Sequence, residues 1–411
     1  MLIVQKYGGT SVADLARIRH VARRVVDAHK AGHQLVVVAS AMAGETDRLV
    51  SLAQEMSPDP RPREYDVLVS TGEQVTIALL AMAIQALGIP AQSFTGGQLR
   101  MRTDDAHTRA RIRTIDTGPV RDVLERGAVV VVAGFQGIDE DGNITTLGRG
   151  GSDTSAVAIA AALGADVCEI YTDVAGVFTS DPNLVPKARK LARVSYDEML
   201  EMASLGAKVL QIRSVKFGKR YGVPIHVRST FSEEEGTWVV PEEEVMERLI
   251  VSGVTYNGDE AKITIFGVPD EPGVASKIFA PMSEEGIVVD VIVQNVSSHG
   301  HTDVTFTTAR GDLGRALPLA ERIAGEIGAA GVTSDDSIAK VSVVGLGMKD
   351  HAGVAGRMFK ALSDEGINIQ MINTSEIKIS VVIEEKYTEL ACRTLHEVFE
   401  LGDARAGEEE H

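Results

Sequence analysis

The chain has 411 residues, 44% of them hydrophobic, with a formal charge of −17 at pH 7. That length suits two or three domains with a substantial buried core, and the acidic balance argues against nucleic acid as the main partner. The two cysteines, Cys168 and Cys392, are far apart in apolar contexts and no His/Cys cluster has zinc spacing, so neither a disulfide framework nor a protein-held metal is expected.

MLIVQKYGGTS opens as a strand, Leu2–Lys6, running into a glycine turn, without a charged leader or cleavage site. Apolar runs such as Ala128–Ala133 are too short to cross a bilayer, so a cytoplasmic protein without a membrane partner is expected. Further strands are predicted at Leu35–Ser40, Ala91–Phe94, Ala128–Ala133, Val167–Thr172 and Pro224–Val227. Between the first two lies a helix over Asp14–His29, with Leu15, Ile18, Ala22, Val25 and Val26 on one face. Strands alternating with helices over residues 1–230 indicate a mostly parallel sheet covered on both faces, an αβα sandwich. Ligands of such sheets bind beyond the carboxyl ends of the strands.

Residues 231–260, with SEEEGTWVVPEEEVMERL, read as an acidic linker in which Trp238 and its valines pack against a neighbour. An internal repeat follows. AKITIFGVPDEPGVASKIFAPMSEEGIVVDVIVQNVS starts at Ala261 and AKVSVVGLGMKDHAGVAGRMFKALSDEGINIQMINTS at Ala339. Later strands at His301–Thr308 and Glu376–Ile383, then helical patterns from Leu313 and Tyr387, make each copy a βαββαβ unit, over 261–338 and 339–403. Residues 404–411 form a polar, acidic tail.

Four segments carry chemistry, and a fifth has a suggestive shape. Lys6-Tyr7-Gly8-Gly9-Thr10-Ser11 places a lysine at a strand end before paired glycines, a phosphate cradle without Walker A spacing. A solvated strand-end lysine fits the same position. Ser40 ends a buried strand with Thr46 and Asp47 beyond it, suited to bind an anion or to cap a helix. Glu73 in STGEQ suits a substrate ammonium, or equally the dipole of the helix it begins. Leu147–Thr154, LGRGGSDT, joins an arginine fork to glycines at a helix start, with Ser152 as an alternative turn cap. YTDVAGVFTSDP, Tyr171–Pro182, has the shape of a loop around a nucleotide base and ribose. Neither GRGGSD nor the GLG at Gly345–Gly347 completes G-x-G-x-x-G, which disfavours a nicotinamide dehydrogenase.

Taken in order, KYGGTSV, VVVASAMAGETD, STGEQ, GRGGSDTSA, YTDVAGVFTSDP and ASLGAKVL resemble the aspartate kinases of the amino-acid kinase family. The repeat resembles the paired, ferredoxin-like ACT domains of the monofunctional bacterial members. Tyr7 stands where the family pattern usually has Phe. The resemblance covers nearly the whole chain and implies ATP-dependent phosphorylation of the side-chain carboxylate of L-aspartate, a step towards lysine, threonine and methionine. It places Lys6, Tyr7, Gly8, Gly9, Ser40 and Ser152 at ATP, with Tyr171, Thr172, Asp173, Thr179, Asp181 and Lys208 as further nucleotide contacts. It places Thr46, Glu73, Arg149, Gly150, Gly151 and Ser152 at aspartate, and Lys6, Arg149 and Asp153 in catalysis. Mg²⁺ is expected to arrive on the nucleotide.

An effector amino acid is a zwitterion, and Asp270, Gly273, Ala275 and Gln294 offer a helix entry and a strand end to hold one. By resemblance Asn368 and Ile369, with Thr374 and Ser375 close by, complete a site for threonine or lysine. The resemblance also implies oligomers through the ACT domains, and a small regulatory subunit initiated internally near Met246. The rival expectations are a related kinase acting on glutamate, acetylglutamate or uridylate, and a ligand sensor with a dead kinase domain. The intact set Lys6, Glu73, Arg149 and Asp153 argues against the latter.

Overall fold

The computed structural model describes residues 1–206, 209–245, 250–295, 300–349 and 351–402. Lys208 and Met246, both singled out above, lie outside them. The chain divides into two units. The first comprises Met1–Phe178, Lys190–Ser204 and Lys208–Met246, and the second Thr179–Arg189, Leu205–Ala207 and Glu247–His411.

The first unit runs β1 (Leu2–Tyr7), α1 (Leu15–Lys30), β2 (Gln34–Ala39), α2 (Glu45–Met56), α3 (Pro62–Val69) and α4 (Thr71–Ala86). It continues through β3 (Ala91–Phe94), β4 (Met101–Thr103), β5 (Ile112–Ile115), α5 (Gly118–Glu125), β6 (Val129–Ala133), β7 (Gln136–Ile138) and β8 (Ile144–Thr146). It closes with α6 (Gly151–Leu163), β9 (Val167–Thr172), β10 (Arg193–Ser195), α7 (Tyr196–Ser204), α8 (Ile212–Tyr221), β11 (Ile225–Ser229) and β12 (Thr237–Val240). The main sheet has the order β10-β12-β11-β9-β1-β2-β6-β3 and is parallel except where β11 meets β12. β6 and all of β2 after Gln34 are buried on both faces, which is why these strands are valine runs without alternation.

The two faces differ. Ile3 and Tyr7 pack into the core beneath α1 and α4, with Ile18, Val25, Leu80 and Ile84. Alternation turns Val4 and Lys6 to the opposite face, where α6 contacts β1 and β9. Small residues make that close approach possible: α6 is buried throughout Gly151–Ala160. A second sheet of order β5-β4-β7-β8 was not expected from the sequence, because strands of three or four residues leave no readable period.

The run Pro62–Ala86 is also a departure. By length and composition it is apolar enough to cross a bilayer, but half of its most apolar window is buried inside the protein, as in a core helix.

The second unit runs β13 (Gly253–Pro269), α9 (Val274–Glu284), β14 (Val289–Gln294), β15 (His301–Thr308), α10 (Leu313–Ile327) and β16 (Gly331–Val344). It continues with α11 (Val354–Asp364), β17 (Met371–Thr374), β18 (Lys378–Glu384) and α12 (Thr388–Val398). All six strands form one sheet, β14-β15-β13-β16-β18-β17. The two expected βαββαβ units share this one sheet. Among the described residues, the second copy supplies three strands, in β16, β17 and β18. Gly253–Asn257, from the stretch expected to be linker, pairs antiparallel with Val344–Lys340 and takes the place of a fourth. The rest of that linker is ordered as well: Thr237–Val240 joins the main sheet through β10 and β11. Acidic runs on either side hide both strands from a composition-based reading.

Candidate functional site

Lys6 stands near the carboxyl end of β1, paired in register with Val38 on one side and Ile170 on the other. Its Nζ lies 2.6 Å from Asp153 Oδ1, and both side chains are only 12% exposed. Asp153 comes from the first turn of α6. The helix N-cap is Gly150, in the left-handed region, and no side chain caps the turn. Ser152 is therefore not the cap that local turn chemistry offered. The helix start keeps its partial positive charge for an anion.

The glycines around this pair are closely approached by their neighbours. A Cβ on Gly8 would sit 3.3 Å from Lys6 Nζ, and one on Gly9 would sit 3.1 Å from the Ala41 carbonyl. Gly134 is packed against Ser152, where a Cβ would come within 2.8 Å of its side chain. Gly150 has φ +69°, and a Cβ there would lie 2.1 Å from Gln211 Cγ. Gln211 also donates from Nε2 to the Arg149 carbonyl at 2.9 Å. Arg149 itself is exposed and, among the described residues, takes no ion pair. Arg213 braces the same turn, donating to the carbonyls of Leu147 at 2.6 Å and Ala110 at 3.0 Å.

Glu73, in the first turn of α4, is 4% exposed. Its Oε1 accepts from the Ala41 amide at 3.2 Å, while Oε2 is buried without a partner among the described residues. Burial pushes its pKa up to about 7, against the opposing pull of backbone hydrogen bonds. Ala41 touches both Glu73 and the space above Gly9, so the acidic pocket adjoins the glycine loop. Ser40 and Thr46 are half-buried, and α2 is capped by Gly44 rather than by Thr46 or Asp47. Thr172 and Asp173 close β9, with the Thr172 hydroxyl donating to Asp173 Oδ1 at 3.1 Å.

Four expected nucleotide contacts have partners within the protein. Tyr7 is fully buried and its ring stacks on Tyr171, centroids 4.7 Å apart and planes 6° off parallel. The Tyr171 hydroxyl donates to Glu169 at 3.1 Å, so both rings belong to the α1 face of the core. Thr179 belongs to the second unit. Its hydroxyl is engaged by His396 Nε2 at 2.9 Å and by the Arg189 amide, its amide donates to Arg189, and its carbonyl accepts from Val254. Asp181, also of the second unit, accepts from Asn183 and shapes a turn.

The expected effector residues are spread over several strands of the ACT sheet. Asp270, Gly273 and Ala275 follow the end of β13, and the β13–β15–β14 register brings Gln294 to that same end of the sheet. Gly273 has φ +93° and caps α9. Asn368 and Ile369 precede β17 at the other edge of the sheet, and Thr374 and Ser375 follow β17 at the end where β13 begins.

Asp66 was missed from sequence. It is a single acid within a helical pattern, with no motif around it. It is fully buried on α3 and accepts from the amides of Thr108 and Thr146, the Thr146 hydroxyl at 2.6 Å, and His107 Nδ1. It therefore fixes the end of β8, two residues before the Gly148–Arg149 turn. Asp66→Ala is expected to lower unfolding stability by about 3 kcal/mol, because several buried donors lose their acceptor. Urea denaturation measures this; a loss below ~0.5 kcal/mol would deny Asp66 the anchoring role.

Residues 1–229 match the amino acid kinase family, and residues 262–325 and 341–399 each match the ACT domain. An aspartate kinase of Stutzerimonas stutzeri is 60% identical over 407 residues, covering 99% of this chain and 98% of its own. Among solved structures, aspartokinase III of E. coli in complex with aspartate and ADP is 26% identical with TM-score 0.78, covering 97% of this chain and 99% of that one. The same enzyme in complex with lysine and aspartate is 26% identical with TM-score 0.75, covering 96% and 99%.

Proposed function

The chain belongs to the aspartate kinases of the amino acid kinase family, and from that premise we propose how its residues divide the work. The unpartnered, buried Oε2 of Glu73 carries the assignment of substrate. It offers an ammonium a charge partner beside the glycine loop. Arg149, free of other ion pairs among the described residues, clamps the α-carboxylate. The side-chain carboxylate is then directed at ATP. It is ionised at neutral pH, so no general base is needed. One carboxylate oxygen attacks the γ-phosphorus, the bond to the β,γ-bridging oxygen breaks, and ADP departs with that electron pair. The product is 4-phospho-L-aspartate.

Two anions must meet for this, and the protein supplies the opposing charge. Lys6 faces the phosphates from β1, with Gly8, Gly9, Ser40 and the start of α6 at Ser152 around it. Asp153 holds the Lys6 ammonium in place. Thr172 and Asp173 take the rest of the nucleotide. Among the described residues no group of three or more His, Cys, Asp or Glu side chains could hold a metal ion, so Mg²⁺ would be carried by the nucleotide phosphates. Trapping the acyl phosphate with hydroxylamine tests the reading. Turnover with aspartate, and none with glutamate, N-acetylglutamate or UMP, is expected; turnover with one of the others instead of aspartate would reassign the pocket.

Glu73 gives the reaction a pH signature. The ammonium requires the ionised form, so kcat/KM for aspartate should rise about tenfold between pH 6 and pH 8 and level off above. Stability of the ligand-free protein runs the other way. The raised pKa means the folded state holds more protons than the unfolded chain between 4.5 and about 7, so Glu73's contribution falls as pH rises through that window. A flat kcat/KM profile in this range, or one unchanged by Glu73→Gln, would remove Glu73 from the ammonium site.

Feedback control is proposed through the ACT domains, by threonine, lysine or both, with threonine favoured. Lysine in the aspartokinase III complex supports an amino-acid effector. β14 and β17 are the two edges of the sheet, and open edges invite pairing. Edge pairing of two chains would bring Asp270, Gly273, Ala275 and Gln294 of one copy to Asn368, Ile369, Thr374 and Ser375 of another. Asp270→Ala and Gln294→Ala should each raise the half-inhibiting effector concentration about tenfold or more with uninhibited turnover retained, a loss of about 1.4 kcal/mol of effector binding. Unchanged inhibition in both would place the effector elsewhere.

A further inference from the structure

A cavity of about 260 Å³ lies on the face of the main sheet opposite Lys6, between α1 and strands β1, β9 and β11. Its floor is polar although it is walled by the core. Glu169 accepts from Gln5 Nε2 at 2.8 Å, the Tyr171 hydroxyl at 3.1 Å and Arg228 Nη1 at 3.2 Å. That carboxylate is fully used, yet donors remain. Arg228 Nε is buried without a partner, and so is His33 Nδ1, which donates or accepts according to its tautomer. Arg24 reaches over the Tyr171 ring at 4.9 Å; its Nη1 donates to the Thr230 carbonyl at 3.1 Å, and its acidic partner Glu233 is 85% exposed, which makes that ion pair weak. One helical turn beyond Arg24, Asp27 has no cation among the described residues.

Buried donors without acceptors are costly, and a second guanidinium beside them multiplies the attraction for a carboxylate. Asp27 on the same wall supplies the opposite charge a few ångströms along the helix. A mixed lining of this kind suits a zwitterion better than a simple anion. We propose that this cavity binds a free amino acid, its carboxylate on Arg228 and Arg24 and its ammonium towards Asp27. The site lies in the kinase unit and shares no residue with the proposed effector positions on the ACT sheet or with the phosphoryl-transfer pocket.

The test uses the full chain carrying Asp270→Ala and Gln294→Ala, so that the proposed ACT site is disabled. Calorimetric titration with glycine, L-threonine, L-lysine and, separately, inorganic phosphate is then compared in added variants Arg24→Gln and Ala28→Met, the second filling the cavity without touching a charge. At least one amino acid should bind at one per chain, and at least tenfold more weakly in both variants. Both substitutions lie on the face away from Lys6, so aspartate turnover should stay within about twofold of the parent. Absence of binding by all three amino acids overturns the proposal, as does binding that survives both variants. Phosphate binding equally well and displacing the amino acid would also overturn it, leaving an anion site only.

Discussion

Lys6→Met is expected to lower kcat by about two to three powers of ten while the protein stays folded. The substitution keeps most of the apolar stem and deletes the ammonium. Charge develops between two anions during transfer, and loss of one preorganised stabiliser typically costs about 2.7–4 kcal/mol. A second effect accompanies the first. Lys6 is paired with Asp153 at 2.6 Å with little exposure on either side, so the variant leaves a carboxylate unpaired and destabilises the fold as well. Lys6→Met combined with Asp153→Asn removes that burden. If the double variant regains thermal stability and remains as slow, the loss is electrostatic. Turnover within about twofold of the parent in the single variant would make Lys6 a structural strand-end residue.

Arg149→Ala should be the second largest effect, and a cleaner one. The guanidinium is exposed and, among the described residues, makes no ion pair, so the fold does not depend on it. The turn that carries it is held by backbone and by neighbours: Gln211 on the Arg149 carbonyl, Arg213 on Leu147 and Ala110, and Gly150 beneath Gln211. Removing the fork leaves the aspartate α-carboxylate unmatched, at a cost on the order of 2–5 kcal/mol in kcat/KM. ATP affinity and unfolding midpoint should stay as they are. Kinetics near the parent's would take Arg149 out of the aspartate site, and a fall in thermal stability would show that it holds the turn instead.

The contrast between these residues shows what a sequence can carry. Valine runs between glycine turns announce buried parallel strands, and β2, β6 and β9 lie where those runs predict. A lysine at a strand end and an aspartate after paired glycines are legible because both are tied to backbone turns; their ion pair is a consequence of the register. The side of the sheet that Tyr7 and Tyr171 join is not legible in the sequence, for a physical reason. An aromatic ring at a strand end serves a ligand or a core equally well, and only alternation across the sheet decides which face it joins. Thr179 sits in a stretch whose composition matches the nucleotide loop, while its partners, His396 and Val254, are remote in sequence. Asp66 depends on four donors from a distant loop and the end of β8, none marked by local spacing.

The strand borrowed by the second ACT repeat imposes an order in time. Gly253–Asn257 leaves the ribosome about 90 residues ahead of Val344–Lys340, the segment it pairs with. At roughly 5–20 residues per second the early segment waits about 5–18 s for its partner. During that interval its hydrogen-bonding edge is open to other nascent chains on the same message. The same topology sets where the chain can be divided. A fragment beginning at Ala261, where the repeat becomes visible in sequence, would lack this strand and leave the second repeat one strand short; one beginning ahead of Gly253 would carry all six strands of the sheet.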